Sequence, residues 1–172
     1  IGNWEIKNYD YDVHPYPGHI SLEYLFEHSS NIGSINIAKT MMPREFYGML
    51  KKFGFGAKTG IDLPGESSGL LPYWSNWDAG IHATMSYGYG TSVTAVQMLS
   101  AVSALANNGV KVTPHVIKYS PEEAAIKIKK EQVVSPETAH SVTRLLAKSI
   151  NNGRSVIKMD NYNVAAKSGT SR

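Results

Sequence analysis

Four residues near the end of the chain, Lys167-Ser168-Gly169-Thr170, combine a cation, two hydroxyls and a glycine. They follow Tyr162-Asn163-Val164-Ala165-Ala166, a β-prone run, and are expected at the turn-ward end of a strand. Such a group can hold a carboxylate: Lys supplies charge, Ser and Thr supply donors, and Gly lets a ligand approach the backbone. The same four residue types also describe an ordinary loop. A second polar stretch far upstream, Ser29-Ser30-Asn31, gives them weight, because it breaks a helical pattern and could turn its side chains into one cleft. Alone, Ser29 or Ser30 reads as the cap of the next helix. Together with Lys167 to Thr170, the stretch reads as the opposite wall of a site.

Other chemistries fit less well. The one strict Ser-x-x-Lys match is Ser155-Val156-Ile157-Lys158. An acylating serine works when a helix N-terminus presents it and sets the lysine one turn on, within reach of its proton. Ser155 instead follows Asn-Asn-Gly-Arg and precedes β-branched residues, so the match reads as chance. Gly88-Tyr89-Gly90 lacks the third glycine of a dinucleotide loop. The six histidines show no metal-ligand spacing. Asp62 and Glu66 flank a Pro-Gly turn and read as turn-formers and solvated charges. With no cysteine, thiolate catalysis, Cys zinc sites and disulfides are all excluded. No cofactor is implied.

The elements that must position these groups follow from caps and periodicity. Ser21 caps a short helix through Leu22, Leu25 and Phe26, which the polar break ends. A second helix carries Ile32, Ile35, Ile37 and Ala38. A third starts near Pro43, buries Phe46, Met49, Leu50 and Phe53, and stops at Gly54. Phe55 to Pro72 is a long connection of turns, expected to pack over the molecule rather than dangle, with Trp74 and Trp77 docking it. Thr94-Ala95-Val96-Gln97 has the capping-box pattern and opens an apolar helix to Ala106, ended by Asn107-Asn108-Gly109. Val110 to Tyr119 and Ile126 to Val134 read as strands that pair. Ser135-Pro136-Glu137 opens the last helix, with Ala139, Val142, Leu145, Leu146 and Ile150 as its buried stripe. About five helices and three strands make an α+β chain rich in helix.

At 172 residues there is room for one domain with a core. A hydrophobic fraction of 42% and a charged fraction of 18% are those of a globular protein, and no run is apolar enough to span a membrane. The net charge of +3 is modest. Lys127, Lys129 and Lys130 alternate with Ile126 and Ile128 beside Glu122, Glu123 and Glu131, which predicts a solvated strand edge and no nucleic-acid partner.

The motifs, taken in order, resemble the transpeptidase domain of class B penicillin-binding proteins. The resemblance runs from about Gly18 to Arg172. It includes Leu25-Phe26-Glu27-His28-Ser29-Ser30-Asn31-Ile32-Gly33, which is similar to the family's second motif. It also includes Phe53-Gly54-Phe55-Gly56 with Thr59-Gly60-Ile61-Asp62-Leu63-Pro64-Gly65-Glu66, the most diagnostic stretch. Tyr87-Gly88-Tyr89-Gly90 with Val93-Thr94-Ala95-Val96-Gln97, then Ala106-Asn107-Asn108-Gly109 and Lys167-Ser168-Gly169-Thr170, complete it. The fold this implies is β-lactamase/penicillin-binding transpeptidase-like, a helical subdomain plus part of an antiparallel sheet. The family's first motif, Ser-x-x-Lys, is expected upstream of Ser29. Its absence implies that 1–172 is a partial transpeptidase domain, lacking the nucleophile segment and the downstream strands, and inactive by itself.

The resemblance further implies roles. The nucleophilic Ser attacks the penultimate D-Ala carbonyl of a peptidoglycan stem peptide, and its Lys takes the proton. Ser29 relays a proton to the leaving amine, tuned by Lys167, and Asn31 bonds the substrate amide and the catalytic Lys. Ser168, Gly169 and Thr170 line the substrate carboxylate, with the Thr170 N–H in the oxyanion hole. β-Lactam antibiotics would stop at the acyl stage. Expected partners are a glycosyltransferase and the divisome or elongasome, at the periplasmic face of the inner membrane, with the anchor outside this chain. The alternatives are a catalytically inactive homologue serving as a scaffold of the wall-synthesis complex, and a β-lactam sensor or β-lactamase. The Thr59–Glu66 stretch argues against the last two.

Overall fold

Side-chain caps set most of the helix starts. Ser21 Oγ accepts from the Tyr24 N–H and opens α1, Leu22–His28. Ser30 Oγ accepts from the Gly33 N–H and opens α2, Asn31–Ala38. Pro43 begins α3, Pro43–Lys52, and Gly54 leaves it with a φ of 98°. Asp78 caps α4, Ala79–Met85, and the Thr94/Gln97 capping box opens α5, Ala95–Ala106. Ser120 and Glu123 form a further capping box at α6, Pro121–Lys127. Ser135 Oγ accepts from the Thr138 N–H at the start of α7, Pro136–Asn152. Strands β1, Val110–Val112, and β2, Lys130–Gln132, pair antiparallel with Lys111 opposite Glu131. The structure is a computed structural model that describes residues 5–8, 11–12, 18–152, 159 and 161–169.

The architecture is helical with a small antiparallel sheet. Helix α7 is its platform: α1 and α5 both pack on it, and α5 also contacts β1. Ala104 of α5 and Ala139 of α7 have no exposed surface, and Ile150 is buried farther along α7. Small residues at such positions let helix axes come close. A second part of the core gathers Ile35 and Ala38 of α2 with Ala83 and Met85 of α4, two helices in contact. Trp77, also buried, donates its indole N–H to the Pro72 carbonyl at 3.0 Å and meets the Phe46 and Tyr47 rings edge-on. The docking role expected of the tryptophans thus falls chiefly on Trp77.

The long connection from Phe55 to Pro72 is pinned at several points. Gln97, 1% exposed, donates through Nε2 to the Ala57 carbonyl at 2.7 Å and the Ser68 carbonyl at 2.8 Å. Leu70 and Ser92 exchange backbone hydrogen bonds in an isolated bridge. Gly69, with a φ of 63°, makes this approach workable, since a Cβ there would lie 2.4 Å from the Ser92 carbonyl oxygen.

Three expectations about secondary structure are corrected. Lys127 belongs to α6 and not to a strand edge, because the capping box at Ser120 and Glu123 outweighs the brief alternation around Ile126 and Ile128. The strands expected over Val110–Tyr119 and Ile126–Val134 shrink to three residues each. Residues 162–167 form no ladder strand, since no described neighbour pairs with them. Helix α4 was not foreseen. Among the described residues no helix is long and apolar enough to cross a membrane.

Candidate active site

The two expected walls meet. Ser29 terminates α1 in the left-handed region, φ 51° and ψ 47°, and its N–H donates to the Leu25 carbonyl. Ser30, next along, is 1% exposed and performs the capping of α2. The Ser29 hydroxyl is therefore not spent on a cap. It accepts from the Lys167 ammonium, 138 residues downstream. Lys167 Nζ also donates to the Ser168 carbonyl at 3.1 Å.

Helix α7 brings the two residues together. Its Lys148 ammonium pairs with Glu23 of α1, the helix that ends in Ser29, and α1 packs on α7. On the segment leading to Lys167, Asn151 Nδ2 donates to Asn163 Oδ1 at 3.4 Å, and Ser149 Oγ lies 3.5 Å from the Ala166 carbonyl. Although Lys167 is exposed as a residue, its ammonium is partly withdrawn from water, and this desolvation lowers its pKa below the ordinary lysine value. A larger share of Lys167 is then neutral near physiological pH than for a solvated lysine.

The remaining expected residues are placed as follows. Asn31 is the first residue of α2 and half-buried, and its Nδ2 donates to the Lys7 carbonyl at 3.4 Å rather than toward Lys167. Ser168 and Gly169 are exposed, and a Cβ on Gly169 would meet nothing within 4 Å. Thr170 lies outside the described residues, as do Ser155 and Lys158. Sequence reasoning missed Asn8, whose Oδ1 accepts from Ser30 Oγ at 3.2 Å. It sits 22 residues away in an aromatic, turn-rich stretch without periodicity, where no local signal singles it out. Among the described residues no three His, Cys, Asp or Glu side chains converge to hold a metal.

A cleft of about 310 Å³ opens elsewhere, between Gly60, Asp62, Thr113 to His115 and the Ile126–Lys129 stretch. It shares no residue with the Ser29–Lys167 pair, and its one carboxylate is fully occupied. Asp62 accepts from the Val116 and Ile117 amides, each at 2.9 Å, and from the Tyr119 hydroxyl at 3.0 Å. The Val116 N–H does most to hold its pKa below the ordinary 3.8; the Ile117 N–H and the Tyr119 hydroxyl add to it and desolvation opposes it. Glu66 accepts from the Thr59 N–H at 2.6 Å, the Thr59 hydroxyl at 2.5 Å and the Gly60 N–H at 3.1 Å. Desolvation is the largest single influence on Glu66 and raises its pKa. The Thr59 and Gly60 donors and the nearby Lys58 charge together outweigh it, and the net shift is downward. Both carboxylates staple the connection.

A pH dependence follows. Each carboxylate has a folded pKa below its unfolded one, so its contribution to stability is present above about pH 4 and is lost as pH falls through the folded value. Carboxyl titration by NMR should place the Asp62 midpoint below 3.8. The protection of the Val116 and Ile117 amides, measured against the intrinsic exchange rate at each pH, should fall through the same titration. Asp62→Asn should remove that pH dependence of the protection, and an Asp62 midpoint at or above 3.8 would contradict the staple.

The whole sequence, residues 1–172, matches the family described as "Penicillin binding protein transpeptidase domain". The chain belongs to that family. Its relatives place it with the class B penicillin-binding proteins. It is 34% identical over 168 residues to penicillin-binding protein PbpB of Mycolicibacterium smegmatis, covering 86% of this chain and 25% of that protein. It is 31% identical over 163 residues to PenA of Neisseria flavescens, a probable peptidoglycan D,D-transpeptidase by name, covering 94% of this chain and 39% of PenA. Crystal structures of penicillin-binding protein 3 of Mycobacterium tuberculosis, complexed with aztreonam and with ampicillin, superpose with a TM-score of 0.70. They share 32% identity with this transpeptidase-family chain and cover 84% of it and 32% of their own length. The transpeptidase-family chain thus spans about a quarter to two-fifths of the length of these relatives.

Proposed function

We propose that the protein containing this chain is a peptidoglycan D,D-transpeptidase that works through a serine acyl-enzyme and is acylated by β-lactams. The observation that carries this reading is the division of labour at the Ser29-Ser30 corner: Ser30 caps α2, and the Ser29 hydroxyl is left to meet Lys167. A structural cap needs only one of the two serines. A proton relay needs a hydroxyl beside a lysine whose charge is partly desolvated.

The nucleophilic serine lies in the part of the protein outside residues 1–172. Its Oγ attacks the carbonyl carbon of the penultimate D-Ala, and its proton passes to a neighbouring lysine. The resulting oxyanion collapses, the C–N bond to the terminal D-Ala breaks, and Ser29 delivers a proton to the departing amine. The neighbouring lysine returns its proton to Ser29, and Lys167 assists that transfer electrostatically. Asn31 orients the substrate amide, while Ser168, Gly169 and Thr170 receive the terminal carboxylate next to the Lys167 ammonium. An amine of a neighbouring strand then attacks the ester, loses its proton and frees the serine, leaving a cross-link. In a β-lactam the amine stays tethered and the ester persists. The enzyme acts at the periplasmic face of the inner membrane beside a glycosyltransferase and the divisome or elongasome.

The test is to label the full-length protein with a reporter penicillin and map the adduct by peptide mass. One adduct on a serine outside residues 1–172 is expected. An adduct on Ser29 or Ser155, or none on a folded protein, would overturn the reading; the last result would favour a non-catalytic scaffold.

A further inference from the structure

The corner that presents Ser29 is held from outside both helices that form it. A non-glycine residue in the left-handed region stays there only when its surroundings fix it. On the N-terminal side the Ser29 and Ser30 amides both donate to the Leu25 carbonyl. On the other side the fixing group is Asn8, 5% exposed and at no helix end. Its Oδ1 accepts two hydrogen bonds, from Ser30 Oγ at 3.2 Å and from the Ile32 N–H at 3.1 Å. With its proton committed to Asn8, Ser30 Oγ accepts from the Gly33 N–H at 3.0 Å. Two of the orphan amides of α2 are thereby satisfied, one by its own cap and one by a residue 24 positions away. The neighbouring Lys7 carbonyl accepts from Asn31 Nδ2. Lys7 and Asn8 thus form a template along Ser30, Asn31 and Ile32.

The packing allows little slack in this arrangement. A Cβ on Gly33 would lie 2.6 Å from Leu25 Cδ1 and 3.2 Å from Ser30 Oγ, so α1 and α2 are pressed together at the corner. A shift of Ser30 away from Asn8 therefore moves Ser29 as well, and with it the hydroxyl that faces Lys167.

We infer that Asn8 is a positioning residue for acyl transfer: its side-chain carbonyl fixes Ser30 and the first turn of α2, keeping Ser29 against Lys167 and Asn31 in place. This rests on the transpeptidase reading above. What matters is the acceptor at Oδ1. An aspartate keeps it and adds a charge favoured at a helix N-terminus, whereas a leucine of similar size removes it.

The experiment uses the full-length protein and reporter-penicillin kinetics, separating the acylation rate constant from the non-covalent affinity. Asn8→Leu should lower the acylation rate constant by about 10- to 100-fold with the affinity little changed, the size expected when a reacting group is misplaced by a fraction of an ångström to an ångström. Asn8→Asp should restore most of the rate. Val133→Ala, which thins a buried contact beside β2, serves as a control for loss of stability alone and should acylate at the wild-type rate. If Asn8→Leu does not fold, Asn8→Ala gives the same comparison with Asn8→Asp. Wild-type rates in Asn8→Leu, or equal losses in both Asn8 variants that track their melting temperatures as in Val133→Ala, would overturn the inference while leaving the transpeptidase reading intact. A wild-type protein that takes no β-lactam would remove that reading and this inference together, whereas a Ser29→Ala variant that acylates normally would overturn this inference alone, since Asn8 acts through Ser29.

Discussion

Lys167→Met in the full-length protein is expected to slow β-lactam acylation by about 10²- to 10³-fold, in the range of losing one proton-transfer partner, while the fold survives. Methionine keeps most of the aliphatic stem and removes the ammonium that donates to Ser29 and to the Ser168 carbonyl. Because Lys167 is exposed and pairs with no carboxylate among the described residues, its loss should cost little stability. Ser29→Ala should produce a deficit of the same order. If the two act as one unit, the double variant will be hardly slower than either single one, since groups that work together are not additive. The pH profile supplies an independent check. Lys167 has its pKa lowered by desolvation, so its neutral form grows in at lower pH than for a solvated lysine. Any alkaline limb that reports this ionisation should therefore lie below the ordinary 10.5 and vanish in Lys167→Met. Multiplicative losses in the double variant, with an unchanged pH profile in the singles, would show that the contact is incidental.

How much of this site is legible in a single sequence depends on how local its causes are. The Ser29-Ser30-Asn31 break and the Lys167–Thr170 group stand out because residue type and helix periodicity mark them. Which serine does the capping does not stand out, because Asn8 settles it from 22 residues away. The helix starts at Ser21, Pro43, Thr94 and Ser135 are readable since a cap and its first turn are adjacent in the chain. Ser120-Pro121-Glu122-Glu123 carries the same signal for α6, yet the Ile-Lys alternation that follows it suggests a strand. Local capping wins there, and β2 begins only at Lys130. Helix α4 has one good cue, the Asp78 cap, ahead of a short segment with a glycine at its second position. The run from Tyr162 to Ala166 has strand-forming residues, but a strand needs a neighbour to share its hydrogen bonds. Pairing is a property of two segments, and composition describes one.

Gln97 carries the other large expected effect, on stability. The sequence marks it as the fourth residue of a capping box, and it does that work: Oε1 accepts from the Thr94 N–H at 2.9 Å. The structure adds a second task, because Nε2 donates to both the Ala57 and Ser68 carbonyls and ties the long connection to α5. Gln97→Leu keeps the volume and strands one amide and two carbonyls at a site that is 1% exposed. With each buried unsatisfied group costing about 1–3 kcal/mol and some relief from water entry, the loss should reach roughly 2–4 kcal/mol, read from the denaturant midpoint at constant slope. Gln97→Glu separates the two tasks. The introduced carboxylate still accepts from Thr94, but it faces two carbonyl oxygens, which disfavours its charged form and raises its pKa in the folded state. A raised carboxyl pKa means that stability is fully present below the unfolded value and is lost as pH rises through the folded one. Gln97→Glu should therefore be about as damaging as Gln97→Leu at pH 7 and recover part of its stability toward pH 4, where a protonated carboxyl can donate to one carbonyl again. Equal stability of Gln97→Glu at both pH values, relative to the parent protein, would mean that the tether to Ala57 and Ser68 contributes little and that the capping box alone accounts for the buried glutamine.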